Sequence, residues 1–431
     1  MLEQGSPEAE FALRTAKSRG VRFVRLWFVD VLGLPRSVAL PISELESALE
    51  RGVGIDGSAL DGALRGRERD VIAVPDPTTF QVVPWAPDER VARMFCDIRM
   101  PDGSASAGDS RVALTRVLAQ AAEMGYQPQV GAEVEFFLLD SQERLVDTAG
   151  YFGFSPQDTG SPVRRRSIEH LEGMGIPVKA SHHEAAPSQH EIDLVHTDAL
   201  SMADAVVTLR LAVKEVAAEA GLLATFMPKP LTGAFGSGLH LHLSLFEDGE
   251  NAFFDGDPDR PLSPVGGAFM AGVLAHAREY TALTNQWSNS YKRLARGYEA
   301  PEAATWTLHG RSALVRVPSL RSELPDAARI ELRSPDPGCN PYLALACVIG
   351  AGLRGIERGY QPAPPDEERP ATPPLPDNLR EAVGVLAESE LVRDVLGDRL
   401  VDAVLANKHA ELDAERATVT EYERAALLRL L

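Results

Sequence analysis

Residues 131–140, GAEVEFFLLD, set two glutamates two positions apart inside an otherwise apolar run. In an extended strand successive side chains alternate between faces, so Glu133 and Glu135 share one face while Val134, Phe136 and Leu138 occupy the other. Like charges side by side on one face are destabilising unless a cation or arginines compensate them. The stretch therefore demands an apolar layer behind it and a counter-charge in front of it. Two further stretches repeat the period. In GLHLHLSL (238–245) His240, His242 and Ser244 oppose Leu239, Leu241, Leu243 and Leu245, and in ARIELRSPDP (328–337) Arg329, Glu331 and Arg333 oppose Ile330 and Leu332. Any one of these reads equally as a half-solvated antiparallel strand. Together their polar faces collect carboxylates, imidazoles and guanidiniums, the groups that bind metals and phosphates, and they predict a sheet with a functional polar face.

A fourth segment, SHHEAAPSQHEIDL (181–194), adds Glu184 and Glu191 in a Pro- and Ser-containing loop that leads into a strand. It lacks the H-E-x-x-H helical spacing of zinc proteases, so its carboxylates are read as ligands and His182, His183 and His190 as structural. Glu133, Glu135, Glu184, Glu191, Glu331 and His240 then form an oxygen-rich donor set. Such donors suit Mg2+ or Mn2+ rather than zinc, and two ions would have about three protein ligands each, leaving positions for phosphate oxygens and water. Replacing Glu133 or Glu331 by Ala is expected to abolish activity while relieving repulsion, so that metal-free stability holds or rises. Arg293, Arg311, Arg316, Arg329 and Arg333 supply permanent cations that grip carboxylates and phosphates bidentately, as an anionic substrate and a nucleotide require.

At 431 residues the chain exceeds what one core supports, so two or more domains are expected. With 62 acidic against 43 basic residues the formal charge of −19 argues against nucleic-acid and anionic-membrane partners. Cys96, Cys339 and Cys347 form no disulfide framework and no zinc spacing, the first twenty residues lack an apolar signal core, and no run of 18 apolar residues occurs. A soluble cytoplasmic protein is expected. VRFVRLWFVDVLGLPRSVAL (21–40) reads as a hairpin around Leu32-Gly33-Leu34-Pro35, a helix-like ISELESALERG follows, and PDGSASAGDS (101–110) marks the end of a small N-terminal domain. RVALTRVLAQAAEMG has helical periodicity, and 360–378 is a proline-rich loop. GVGIDG (52–57) spells the dinucleotide fingerprint but follows a helix-like segment instead of a strand, which argues against a dehydrogenase.

The ordered motifs GIDGSAL, GAEVEFFLLD, SHHEAAPSQHEID, FMPKPLTGAFGSGLHLHLSL, NSYKRLARGYEAP, RSALVRVP and RIELRSPDPGCNPY resemble those of the glutamine synthetase family over almost the whole length. The resemblance implies an α+β fold, with a β-grasp domain at 1–104 and, at 105–431, a catalytic domain whose curved antiparallel sheet is flanked by helices. It implies that Glu135, Glu184 and Glu191 bind one metal ion, and that Glu133, His240 and Glu331 bind the ion that contacts the nucleotide phosphates. Arg293 matches the residue that holds glutamate's α-carboxylate, and Gly236 belongs to the same substrate region. Arg311, Arg316 and Arg333 resemble the phosphate-stabilising arginines, His242, Ser244 and Arg329 the nucleotide-side residues, and Glu299 the flap glutamate. Asp56 resembles the aspartate that a neighbouring subunit donates to deprotonate the amine.

The implied reaction joins glutamate to ammonia or an amine through γ-glutamyl phosphate, with ATP as co-substrate, two or more Mg2+ or Mn2+ ions per site and a homododecamer as the assembly. A non-enzymatic relative that keeps only the fold is the rival reading, against which all six ligand positions are retained. Two departures bear on the amine. Ala234-Phe235 replaces the usual Asp-Asn before Gly-Ser-Gly, and Ala59 replaces the second serine of Asp-Gly-Ser-Ser. VRFVRLWFVDVLG, ARMFCDI and EIDLVHTDALSMADAV are closest to actinobacterial enzymes that join glutamate to polyamines, so a polyamine or another small amine is the expected acceptor and ammonia the alternative.

Overall fold

The computed structural model describes residues 6–431 apart from 65, 67, 87–89, 258–259, 296, 298, 319–323 and 366–373. Part of the proline-rich loop and two positions of NSYKRLARGYEAP therefore lie outside the described residues. The expected hairpin forms between β1 (Phe23–Val29) and β2 (Pro35–Pro41), antiparallel from Phe23–Pro41 to Val29–Pro35. Asp30 makes its turn, accepting from the Leu32 and Leu34 amides at 3.0 and 2.9 Å, while Gly33 adopts φ 79°, where a side chain would be strained. β3 (Val53–Asp56), β4 (Asp70–Pro75), β5 (Gln81–Val82) and β6 (Val91–Arg99) complete a sheet ordered β2-β1-β6-β4-β3, with β5 on β6. β1 and β6 run parallel. Val24, Leu26 and Phe28 enter the core of this small sheet, whereas Trp27 and Val29, on the opposite face, pack into the larger core of the rest of the chain. Helix Leu45–Arg51 stops at Gly52, at φ 70°, so GVGIDG does follow a helix and not a strand.

The second sheet comprises β7 (Gln127–Leu139), β8 (Val178–His183), β9 (Gln189–Leu194), β10 (Thr197–Asp198), β11 (Leu223–Thr225), β12 (Leu239–Glu247), β13 (Glu250–Asn251), β14 (Trp306–Thr307), β15 (Val315–Arg316) and β16 (Ile330–Leu332). Its order is β14-β15-β16-β12-β7-β9-β8, with β10 and β11 on β7 and β13 on β12. All pairs except β14–β15 are antiparallel. Val134, Phe136 and Leu138 pack with Leu239, Leu241, Leu243, Ile330 and Leu332 on one face, and helices Ser110–Glu123 and Ala199–Glu219 lie against β7. Burial of each such side chain stabilises by roughly 1.5–3 kcal/mol, which fixes the strand register and so forces the intervening polar residues to the other face. The fold is α+β. Among the described residues no helix is long and apolar enough to cross a membrane, and the three cysteines are buried and unpaired.

Candidate active site

Strand register assembles the site. His240 lies opposite Glu133, His242 opposite Glu331, Glu191 opposite Glu135, and Asp193 opposite Glu133. Residues paired across strands share a face, so these side chains make one continuous polar surface. A cavity of about 260 Å³ fronts it, walled by Glu133, Glu135, Glu184, Glu191, His240 and Glu331 together with Gly236, Arg293, Glu299, Arg311, Arg316 and Arg333. A larger cavity of about 710 Å³, bordered by Trp287, Arg210 and Lys214, is mainly apolar and gathers no comparable set of groups.

One half of the cavity is compensated from within. His242 Nδ1 accepts from Arg329 Nε at 3.1 Å, so its proton sits on Nε2, which donates to Glu133 Oε1 at 2.7 Å. His240 Nδ1 is 3.2 Å from Glu133 Oε2 and 3.8 Å from Glu331 Oε1. Burial disfavours the Glu133 charge, but these two imidazoles outweigh it and hold the carboxyl well below its usual range. Glu331, only 1% exposed, meets Arg333 Nη1 at 2.5 Å and Arg316 Nη1 at 2.9 Å. Burial again opposes ionisation, and His240 and Arg333 override it. This corrects the expectation that removing Glu331 leaves stability unchanged or higher. Its removal would strand two guanidiniums, one of them buried.

The other half is under-compensated. Glu135 accepts from the Gly238 amide at 2.9 Å and Gln189 Nε2 at 3.0 Å, yet burial raises its carboxyl pKa despite His240. Glu184 accepts from His182 Nε2 at 2.8 Å and the Ala185 amide at 2.9 Å, and these bonds overcome burial and keep it ionised. Glu191 has no such relief. Burial, then Glu135 and Asp193, push it well above an ordinary glutamate. Asp193 Oδ1 is buried with no hydrogen-bond partner among the described residues. Oxygen donors with excess negative charge fit a hard divalent cation, and the groupings Glu133–His240–Glu331 and His182–Glu184–Glu191 each bring their ligand atoms within 4.8 Å of one another.

The facing wall of the cavity is basic. Arg293, 4% exposed, donates through Nη1 to the Ser334 and Pro335 carbonyls at 2.6 and 3.1 Å and through Nη2 to that of Arg333 at 3.0 Å. Gly238 permits this crowding, because a Cβ there would lie 2.7 Å from Arg293 Nη2 and 2.8 Å from His240 Nε2. At Gly236 it would lie 2.4 Å from the Pro228 carbonyl. Arg311 Nη1 pairs with Glu299 Oε2 at 3.0 Å, half exposed, and its guanidinium lies 5.4 Å from the Tyr151 ring centre. Glu299 adopts φ 54°, a strained conformation for this residue type.

His242, Ser244 and Arg329 stay on the same face without lining the cavity. Asp56 is on β3 of the other sheet, bonded to the Ser58 amide and hydroxyl at 2.9 and 2.6 Å, and does not line this cavity. Sequence reasoning missed Gln189 and Asp193, which the period-two rule applied from Glu191 would have found, and Tyr151, which sits in irregular chain with no period to betray it.

Residues 107–427 match the family described as glutamine synthetase, catalytic domain, and residues 20–101 match glutamine synthetase, beta-Grasp domain. The chain is 49% identical to the glutamine synthetase of Mycobacterium tuberculosis over 443 residues, covering 98% of this chain and 99% of the relative. It is 43% identical to that of Methanosarcina mazei, covering 98% of each. Among solved structures, a GmaS/ADP complex superposes with a TM-score of 0.88 at 32% identity, covering 97% of this chain and 99% of that one. Plasmodium falciparum glutamine synthetase, at 24% identity and TM-score 0.89, shares the fold over 98% and 99% of the two chains.

Proposed function

The chain belongs to the glutamine synthetase family, ligases that use ATP, glutamate and ammonia or an amine, and we propose that it forms γ-glutamyl amides with an alkyl-bearing amine, a polyamine or another small amine. The observation that carries this reading is the cavity itself, where an under-compensated acid cluster faces Arg293, Arg311, Arg316 and Arg333. In the first step a γ-carboxylate oxygen of glutamate takes the terminal phosphoryl group of ATP, releasing ADP and leaving an acyl phosphate. In the second, the amine nitrogen attacks the acyl carbon, phosphate departs, and the nitrogen's proton passes to a base. Arg293 grips the α-carboxylate beside Gly236, while Arg311, Arg316 and Arg333 stabilise charge on the phosphoryl oxygens.

Glu299 and Asp56 are the bases, Asp56 reaching the site from a neighbouring copy of the chain. His242, Ser244 and Arg329 take the nucleotide side. Glu133, His240 and Glu331 would hold one Mg2+ or Mn2+ ion and Glu135, Glu184 and Glu191 another, which would supply Lewis-acid neutralisation of phosphoryl charge. Exposed Val419, Tyr422, Leu428, Leu430 and Leu431 in and around the last helix support a homo-oligomer; the dodecamer and the cytoplasmic location are carried by the family resemblance alone.

The amine is read from Phe235, which borders the cavity and offers an alkyl chain an apolar wall worth roughly 0.8 kcal/mol per buried methylene. Ammonia is the second reading, favoured by the names of the 49% identical relatives. The deciding measurement is ADP release with glutamate fixed and the nitrogen source varied across ammonium, monoamines, ethanolamine, putrescine, spermidine and spermine. The highest kcat/KM with ammonium overturns the alkylamine assignment, and no release with any of them overturns the ligase reading in favour of a fold relative without activity.

A further inference from the structure

Behind the metal-ligand face sits a buried cluster the reaction does not use: Asp147, His183 and His190, at 8%, 0% and 0% exposure. Its ligand atoms are close enough together for a metal ion, but the proton count opposes one. Arg164 Nη1 donates to His190 Nδ1 at 2.6 Å, so the His190 proton is on Nε2, and that nitrogen, 4.0 Å from Asp147 Oδ2, has no lone pair to offer.

The bonds describe a clamp. Asp147 Oδ1 accepts from the Ser188 amide at 2.8 Å and from His183 Nε2 at 2.9 Å, and His183 Nδ1 donates to the Glu184 carbonyl at 2.7 Å. Ser188 Oγ returns the contact, accepting from the Val146 and Asp147 amides at 2.8 and 3.1 Å. These bonds are needed locally, because Ser188 is held at φ 60°, a conformation a non-glycine residue keeps only when its surroundings impose it. The segment at 146–147 is thereby stapled to both ends of the turn joining β8 to β9. From one end projects Glu184. From the other projects Gln189, whose Nε2 donates to Glu135 Oε2 and to the Gly236 carbonyl, both at 3.0 Å. The His183 carbonyl also accepts from the Phe152 amide at 3.0 Å, which fixes the chain beside Tyr151.

We propose that Asp147 is a positioning residue for divalent-cation binding: without touching the cavity, it sets Glu184 through His183, and Glu135 through Ser188 and Gln189. The proposal rests on the reading of Glu135, Glu184 and Glu191 as metal ligands. It is tested by Mn2+ titration of the full chain, free Mn2+ being read by electron paramagnetic resonance without ATP or glutamate, alongside the melting temperature in EDTA. Asp147→Ala should raise the Kd of the tighter Mn2+ class by about 10–100-fold, the range usual for partners of metal ligands, and Asp147→Asn, which keeps an acceptor oxygen, by less. Ser188→Ala, which cuts the clamp from its other side, should weaken the same class. A purely structural role predicts a lower melting temperature with unchanged Kd in the folded variants, and that result overturns the proposal. Should Asp147→Ala fail to fold, Ser188→Ala decides in its place by the same criterion. Wild type that binds no Mn2+ would overturn the ligand reading and the proposal with it, whereas wild-type binding with unaffected variants overturns the proposal alone.

Discussion

Glu191→Gln removes one charge from the under-compensated half of the cavity while keeping the side chain's shape. The ligand atoms of Glu184 and Glu191 lie within 4.8 Å of each other. At about that separation and an effective dielectric of about 20, the two carboxylates repel by about 3.5 kcal/mol whenever both are ionised. Glu135 and Asp193 add to this repulsion and His182 subtracts from it, so the metal-free protein should gain on the order of 1–3 kcal/mol from the substitution. For a cooperative unit of about 300 residues, 1 kcal/mol corresponds to roughly 1.5 °C, giving a rise of about 2–5 °C.

The pH dependence has a definite sign. The folded-state pKa of Glu191 is raised, so the native state prefers the protonated acid. The stability this contributes is fully present below the ordinary glutamate value of about 4.3 and is lost as pH rises through the elevated folded value. The advantage of the variant should therefore be small near pH 4.5 and grow toward pH 8. Mn2+ at about 1,000-fold excess over the wild-type Kd should reverse the order, since wild type then gains about 4.1 kcal/mol and the variant, one ligand short and well below saturation, gains little. Calorimetric melting of both proteins in EDTA at the two pH values, then in Mn2+, makes the comparison. A variant less stable than wild type in EDTA at pH 8, or no crossing on adding Mn2+, refutes the reasoning.

Other substitutions separate the remaining parts of the site. Glu331→Ala should abolish ADP release and, unlike Glu191→Gln, cost about 3–5 kcal/mol in denaturant unfolding, because Arg316 and Arg333 lose their partner; unchanged stability would contradict the ion-pair account. Mixing Asp56→Ala with Arg293→Ala subunits should recover part of the activity each lacks, and a fully active monomer by light scattering would exclude shared sites. Phe235→Asn should lower kcat/KM for alkylamines relative to ammonium by roughly fourfold for each methylene that loses its contact, and an unchanged ratio removes Phe235 from amine selection.

Much of the site was legible because β-sheet geometry is periodic. Once Val134, Phe136 and Leu138 are assigned to a core, Glu133 and Glu135 have one place to go, and the same holds for His240 and His242 against the leucines of β12. What periodicity could not supply was which acids are neutralised by the protein itself. Glu133 and Glu331 have the same residue type and the same alternation as Glu135, yet imidazoles contact Glu133 and guanidiniums contact Glu331, and this reverses the expected stability effect of removing Glu331. Register between strands distant in sequence decides it, and one strand's pattern holds no information on its partner. Tyr151 and the Asp147 clamp were invisible for a related reason: they lie on or beside irregular chain, where hydrogen bonds to particular backbone groups, not alternation, fix the side chains.

The two halves of the cavity therefore solve the same repulsion by different means, and the difference matters for chemistry. Around Glu133 imidazoles, and around Glu331 guanidiniums as well, already hold the carboxylates ionised, so the polar face is ordered before any substrate arrives, as electrostatic preorganisation requires. Around Glu135 and Glu191 the counter-charge must be imported, so this half is strained as a metal-free assembly and gains most from a divalent ion. A carboxylate clamped by hydrogen bonds, as Glu184 is through His182 and Ala185, cannot relax that strain by swinging away. The turn that carries it is in turn anchored at Asp147. Rigidity in the supporting layer thus converts charge repulsion, which alone would only destabilise the fold, into affinity for a cation.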